Sequence, residues 1–391
     1  MVAEIYDYML GIVVVGFIFI SAVVAIPAIS YVNLQQIDQQ QLRNTALNLF
    51  NAMLLGTGSP ADWGTCEPPF DENLVEAFGL SLSGESSLYK VDIDKLQRLD
   101  NTSLGYITYD KARELLGITE DYGFRLDIFR PFMVNWDIGI SGNQIWYSIN
   151  VTRNLDKRPI QNAEVSVVVL CAAMNPDKVD DPIINVTGPH ISYTNALGKY
   201  QGINTIAIPN GYSLSSANAI FKVTVGGIST MIAASTDQNL LNILKVNTFG
   251  DIVTLTFRGE LAGKDNSGLR RVNSITSYNL DQELRNIWDG SSNVNQEQMI
   301  TYGTAYDYWM NTFPGLGSIN PGLLIFCISV PIKGEGRRPV LITGPFSGVD
   351  PSKVLSFGSM GQPADARVKL RRFITDSVGM TYVAELLLWE E

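Results

Sequence analysis

The sequence predicts an α+β chain, mainly β: a long N-terminal helix, transmembrane and then amphipathic, carrying a β-rich head into which a β-sandwich is inserted. Three observations predict this. An uncharged run of 21 residues, Met9–Ile29, stands near the start. An amphipathic pattern continues from it. Beyond that, apolar residues alternate in short runs separated by Gly, Asn, Pro and Asp, as strands and turns do.

Met9–Ile29, through Val14, Phe17, Ile20 and Pro27, is long enough as a helix to cross the ~30 Å apolar core of a bilayer. It reads as a single-pass anchor in the cell membrane, with the large acidic remainder outside. A secretory signal fits less well, because no basic residue precedes the run and no small-x-small cleavage site follows it. Pro27 removes a backbone hydrogen bond and is expected to kink the helix. Past it, Leu34, Ile37, Leu42, Ala46, Leu49 and Met53 recur three to five residues apart among Gln and Asn. Such a stripe packs either on the chain's own sheet or against copies of the chain, and a helix over residues 1–56 is expected to do both. Gly56-Thr-Gly-Ser-Pro60 ends it.

Residues 57–140 read as the first part of the head. Trp63 is a buried-type aromatic in a turn, Tyr109–Gly117 is a short helix stopped by Gly117, and Tyr122–Ile128 and Phe132–Ile140 alternate as strands. Residues 141–245 form the inserted sandwich, from the runs IWYSINVT, AEVSVVVL, GKYQGINTIAI and AIFKVTVGG. Residues 246–391 return to the head. There Asp251–Leu261 and Leu323–Pro331 are expected as strands, and Tyr278–Trp288 and Gln296–Met310 as helices. The closing hairpin, Ala366–Ile374 with Met380–Trp389, is expected to share a sheet with Tyr122–Ile140.

Composition narrows the function. Lys+Arg 28 against Asp+Glu 39 gives a net charge of −11, which argues against a nucleic-acid partner. Cys66, Cys171 and Cys327 form no CxxC, so zinc-ribbon and redox motifs are out. One disulfide is allowed, but the apolar settings of Cys171 and Cys327 favour buried thiols. His190 is the single histidine, which excludes HExxH-type metal sites. No G-x-S-x-G elbow, P-loop or dinucleotide fingerprint occurs. Asp92, Asp94 and Asp100 could ligate calcium, but their spacing fits no EF-hand and suits a solvated acidic turn. Arg367, Lys369 and Arg371 make the one basic stripe, either a solvated strand face or a contact for anionic lipid or an acidic neighbour. No catalytic residue, cofactor or metal is expected, so the chain does not read as an enzyme. Sequons at Asn101, Asn150 and Asn185 suit N-glycosylation of an exported domain.

The apolar segment leads through a polar-faced helix to LLGTGSPADWG. With VDIDKLQRLD, YITYDKARELLGITEDYGFRLDI and the closing VKLRRFITDSVGMTYVAELLLW, this resembles archaeal type IV pilin-like (pseudopilin-like) surface proteins over residues 1–140 and 365–391. DKRPIQNAEVSVVVL followed by YTNALGKY resembles immunoglobulin-like or carboxypeptidase-regulatory-like sandwich modules. The first resemblance implies filament subunits that associate with themselves or with sister pilin-like subunits through Leu34, Ile37, Leu42, Ala46, Leu49 and Met53. It also implies that Glu4 neutralises a neighbour's terminal amine. The alternative is a tethered adhesion or ligand-binding ectodomain that does not polymerise.

Overall fold

A computed structural model describes residues 13–19, 21, 39–66, 70–84, 87–118, 122–154, 156–237, 240, 244–258, 271–281, 283–288, 299–302, 306–319, 322–332, 336–346, 352–359 and 367–390. The head is a four-stranded antiparallel sheet in the order Lys353–Gly358, Tyr122–Phe129, Thr381–Glu390, Arg367–Thr375. The closing hairpin therefore lies beside Tyr122–Phe129, with Leu126 opposite Leu386. Apolar residues at alternate positions, Phe124, Leu126, Ile128, Leu386 and Leu388, point to one face. The helix over residues 39–55 contributes Leu42, Ala46, Leu49, Phe50 and Met53 to the same core.

Between Arg130 and Ser352 the chain builds two β-sandwiches. The first sets the sheet Phe132–Ser141, Gln144–Arg153, Lys199–Thr205 against the sheet Lys178–Tyr193, Glu164–Asn175, Ser213–Val225, Ile228–Ser235. The second sets Met299–Tyr302, Tyr306–Thr312, Ile252–Arg258, Leu244–Phe249 against Leu284–Trp288, Arg271–Tyr278, Leu323–Ile332, Gly336–Gly344. The two sandwiches stand back to back. Val165, Val167, Val169 and Cys171 fill the first sandwich's own core. The alternate residues Val168, Leu170 and Ala172 join Ile325, Cys327 and Leu341 of the second sandwich in the main core. Strands covered on both faces need no polar alternation, which is why AEVSVVVLCAAM and LLIFCISV read as unbroken apolar runs. The Arg338 guanidinium crosses the joint to Asp237 at 2.6 Å, and Ser216 donates to the same carboxylate at 2.6 Å.

Several expectations are corrected. Among the described residues no helix is long and apolar enough to cross a membrane. Strand outweighs helix, 55% to 16%. The fold is thus mainly β with short helices, and neither the long N-terminal transmembrane helix nor the single-pass cell-membrane location is supported. Val14 and Phe17 fall in a helical stretch over residues 13–19. Glu4, Met9, Ile20, Pro27, Leu34 and Ile37 lie outside the described residues.

The expected helices at Tyr278–Trp288 and Gln296–Met310 are also corrected: the described residues there belong to strands of the second sandwich. Aromatic residues favour pleated, half-buried surfaces. Trp309 stands edge-on to Phe326 at 5.9 Å and stacks beside Trp288. The first sandwich begins at Phe132, not residue 141, and most of 244–346 is a second sandwich between the two parts of the head.

Because Leu49 is buried within the single chain, Leu49→Ala should cost about 2–5 kcal/mol. The check is the urea midpoint at a concentration where the chain is monomeric; an unshifted midpoint would place the residue outside the core.

Candidate functional site

The two motifs that stood out in the sequence, GSPADWG and VDIDKLQRLD, meet at the joint between the head and the second sandwich. Asp92 caps the short helix Ile93–Gln97 by accepting from the Asp94 amide. The turn before it is seated by Trp63, fully buried, whose Nε1 donates to the Gly79 carbonyl at 2.9 Å. Gly64 is required because a Cβ there would stand 2.5 Å from the Lys95 nitrogen. The helix therefore rests directly on the turn.

That approach buries three long polar side chains, and each is satisfied. Lys95 Nζ donates to the carbonyls of Thr57 and Ser81 and pairs with Asp92 at 3.7 Å. Arg98 donates to the carbonyls of Gly64, Cys66, Leu104 and Gly105. Its guanidinium lies 3.6 Å from the Phe249 ring centre and 4.6 Å from that of Phe70. Gln97 does the work of a missing strand. Its amide donates to the Thr248 carbonyl at 2.9 Å and accepts from the Thr248 N–H at 2.8 Å. Thr248 belongs to Leu244–Phe249, the edge strand of the second sandwich. Two more bonds hold that strand's ends: Gly250 donates to Asp94 at 2.8 Å, and Lys245 reaches Asp100 at 2.8 Å.

A cavity of about 230 Å³ opens here, lined by Asp62, Asp92, Asp94, Thr248, Gly250 and Gly317. Burial and the neighbouring Asp92 charge push the Asp94 carboxyl up to about 7. Burial also raises Asp376 to about 6, against the amides that bond it. Burial works to raise Asp100 too, but Lys245 and Thr102 outweigh it and hold that carboxyl below its usual range. The Arg98 guanidinium is lowered by burial to about 10 and stays charged at neutral pH. Among the described residues no group of three His, Cys, Asp or Glu side chains could hold a metal ion. The acidic residues weighed as calcium ligands are instead caps and ion-pair partners of this joint.

Of the expected interface residues, Leu42, Ala46, Leu49 and Met53 are buried in the chain's own head. Asn101 is exposed in a turn, whereas Asn150 and Asn185 are half-buried on strands and the Asn185 Nδ2 is enclosed. All three cysteines are free; burial pushes the Cys171 thiol up to about 11 and that of Cys327 to about 12. His190 is exposed on a strand. Within the basic stripe, Lys369 and Arg371 share Glu385 on the neighbouring strand at 2.6 and 2.5 Å. Sequence reasoning missed Gln97, Arg98, Lys245 and Thr248 as a joint, since a five-residue helix offers too little periodicity to show which polar residues turn inward.

The architecture defines a β-rich, sandwich-like protein compatible with an immunoglobulin-like fold. No family model and no curated protein matches its sequence, so the likeness to pilin-like proteins rests on the motifs quoted above.

Two outcomes test the joint. A raised Asp94 pKa means that between about pH 4 and pH 7 the folded chain keeps a proton the unfolded chain has released. Stability then falls as pH rises through that window. Asp94→Asn should remove this slope, leaving the variant about 1–2 kcal/mol more stable than the parent at pH 8 and no more stable at pH 4. Thermal melts at both pH values decide it, and an equal gap at both would refute the assignment. Arg98→Lys, which cannot reach four carbonyls at once, should cost about 3 kcal/mol in urea unfolding.

Proposed function

We propose that the chain is a non-enzymatic structural subunit that assembles with copies of itself, or with sister subunits of like helix, in the manner of the pilin-like proteins it resembles. The contact is the helical stretch over residues 13–19. The observation that carries this reading is exposure: Val13, Val15, Phe17, Ile18 and Phe19 are each between 64% and 75% exposed, and Val14 is 50% exposed. A helix apolar all round needs apolar cover. The chain's own described residues give none, and a second copy offers a surface of the same chemistry. Burying each Phe or Ile is worth about 1.5–3 kcal/mol, so a few helices together suffice for association.

The stripe from Leu42 to Met53 takes no part in this contact, because the head uses it. Head and sandwiches would then be carried by the bundle these helices form. A ligand-binding module that does not polymerise is the second reading, favoured by the cleft described below.

Light scattering after size exclusion, with negative-stain electron microscopy, tests the assembly using the full chain. The parent should form multimers, and the double variant Phe17→Asp, Ile18→Asp should weaken association by about 100-fold with an unchanged β circular-dichroism spectrum. A parent that stays monomeric at high concentration would overturn the proposal.

A further inference from the structure

A cavity of about 730 Å³ lies where the chain leaves the head for the first sandwich. One wall is the edge strand of the head sheet, with Arg371, Arg372 and Phe373 on it and Val383 beside it. The other is the turn after Gln144–Arg153, with Arg153, Asn154 and Lys157. Phe129, Pro131 and Ser352 close the floor. The second wall is fixed to the floor: Asn154 donates to the Arg130 carbonyl, the Arg130 amide donates to the Ser352 carbonyl at 2.7 Å, and its guanidinium donates to the Phe346 carbonyl.

The charge here opposes that of the molecule. The chain carries −11, yet four cations line this cleft and no acidic residue is among its described lining. The two carboxylates nearest in the ion-pair network are each divided between two cations. Asp156 serves Arg153 at 3.9 Å and Arg158 at 3.3 Å. Glu385 serves Lys369 and Arg371. Arg372 donates to the carbonyl of its own neighbour, and Lys157 to the sulfur of Met133. Positive charge is therefore left over, focused between low-dielectric walls. Lys157 also sits at a φ of 57°, a conformation costly for a side chain of its size. The turn holds it there by a bond from its amide to the Arg153 carbonyl at 3.1 Å.

Beside the cations lies Phe373, 58% exposed. A phenyl ring held open to solvent next to guanidinium groups matches a ligand with a ring to stack and an anionic group to pair. The volume falls in the range of small-molecule sites, which is about 300–1,000 Å³.

We infer that this cleft binds a compact organic anion: a ring bearing one or two carboxylate, sulfate or phosphate groups, the ring lying on Phe373 and the anion held by Arg153 and Lys157. Acidic sugars and nucleotides share that chemistry. The site stands independently of the assembly reading, since none of its residues belongs to the helical stretch.

Isothermal titration of the full chain with digalacturonate, with AMP, and with uncharged cellobiose as control tests it. Saturable binding of either anion but not of cellobiose is expected, and which anion binds tells sugar from nucleotide. Raising salt from 50 to 500 mM should weaken binding by about 10-fold or more. Lys157→Gln with Arg153→Gln should weaken it at least about 10-fold, and Phe373→Ala about 5-fold with the salt dependence kept. These residues are at the surface, and an unchanged melting temperature certifies the variants. Binding of neither anion, equal binding of cellobiose, or full affinity in the double-glutamine variant would each overturn the inference.

Discussion

The Arg98 guanidinium is a full charge with no exposure to solvent, spread over four backbone carbonyls and the faces of two phenyl rings. The groups that touch it come from four different pieces of chain: the turn after Trp63, the loop at Leu104 and Gly105, Phe70 and Phe249. Burying a charge is tolerated only where hydrogen bonds replace its water shell. The arginine therefore fixes these loops together, since releasing any one would leave the charge short of partners. Head and second sandwich become one body through this joint, and Gln97 completes it by serving as a strand for Thr248.

The second connection is apolar and works differently. Val168, Leu170 and Ala172 have no polar pattern to satisfy, only a surface to cover. The sheet that carries them is closed by its own sandwich on one side and by the neighbouring sandwich on the other. Polar groups at its rim, Ser216, Asp237 and Arg338, set the register that a smooth apolar contact alone would not specify. An interface between neighbours in one chain is thus assembled like a domain core.

What the sequence shows follows from this. Tyr122–Phe129 and the closing hairpin are legible because each is covered on one face and solvated or half-covered on the other, so their alternation survives. The strands of the first sandwich are legible for the same reason, or because Val and Ile crowd them. The second sandwich is harder. Tyr306-Asp-Tyr-Trp-Met and the residues around Trp288 carry aromatic and polar side chains at spacings that suit a helix as well as a strand. Only packing of Trp309 against Phe326 from a strand elsewhere in the sequence decides between them. The GSPADWG and KLQRLD motifs were visible as unusual, but their partnership was not. It depends on a side-chain amide pairing with a backbone 151 residues away, and no local pattern encodes that. Of the apolar run at the N-terminal end, the described residues 13–19 are helical, as its composition leads one to expect.

The chain leaves the head at Arg130 and returns at Ser352, and this sets an order of events during synthesis. Tyr122–Phe129 finds its first sheet neighbour only in Lys353–Gly358, more than 200 residues later. At translation rates of about 5–20 residues per second, that strand waits for tens of seconds. Both sandwiches are complete in sequence by then, and each closes on its own core. The core that the helix over residues 39–55 joins is completed only then, since Leu386 and Leu388 belong to it. A chain that stalls or misfolds anywhere between keeps that helix and strand open to chaperones and proteases. Closure of the head is thereby a proof of completeness, made only by a molecule whose whole middle has been read out.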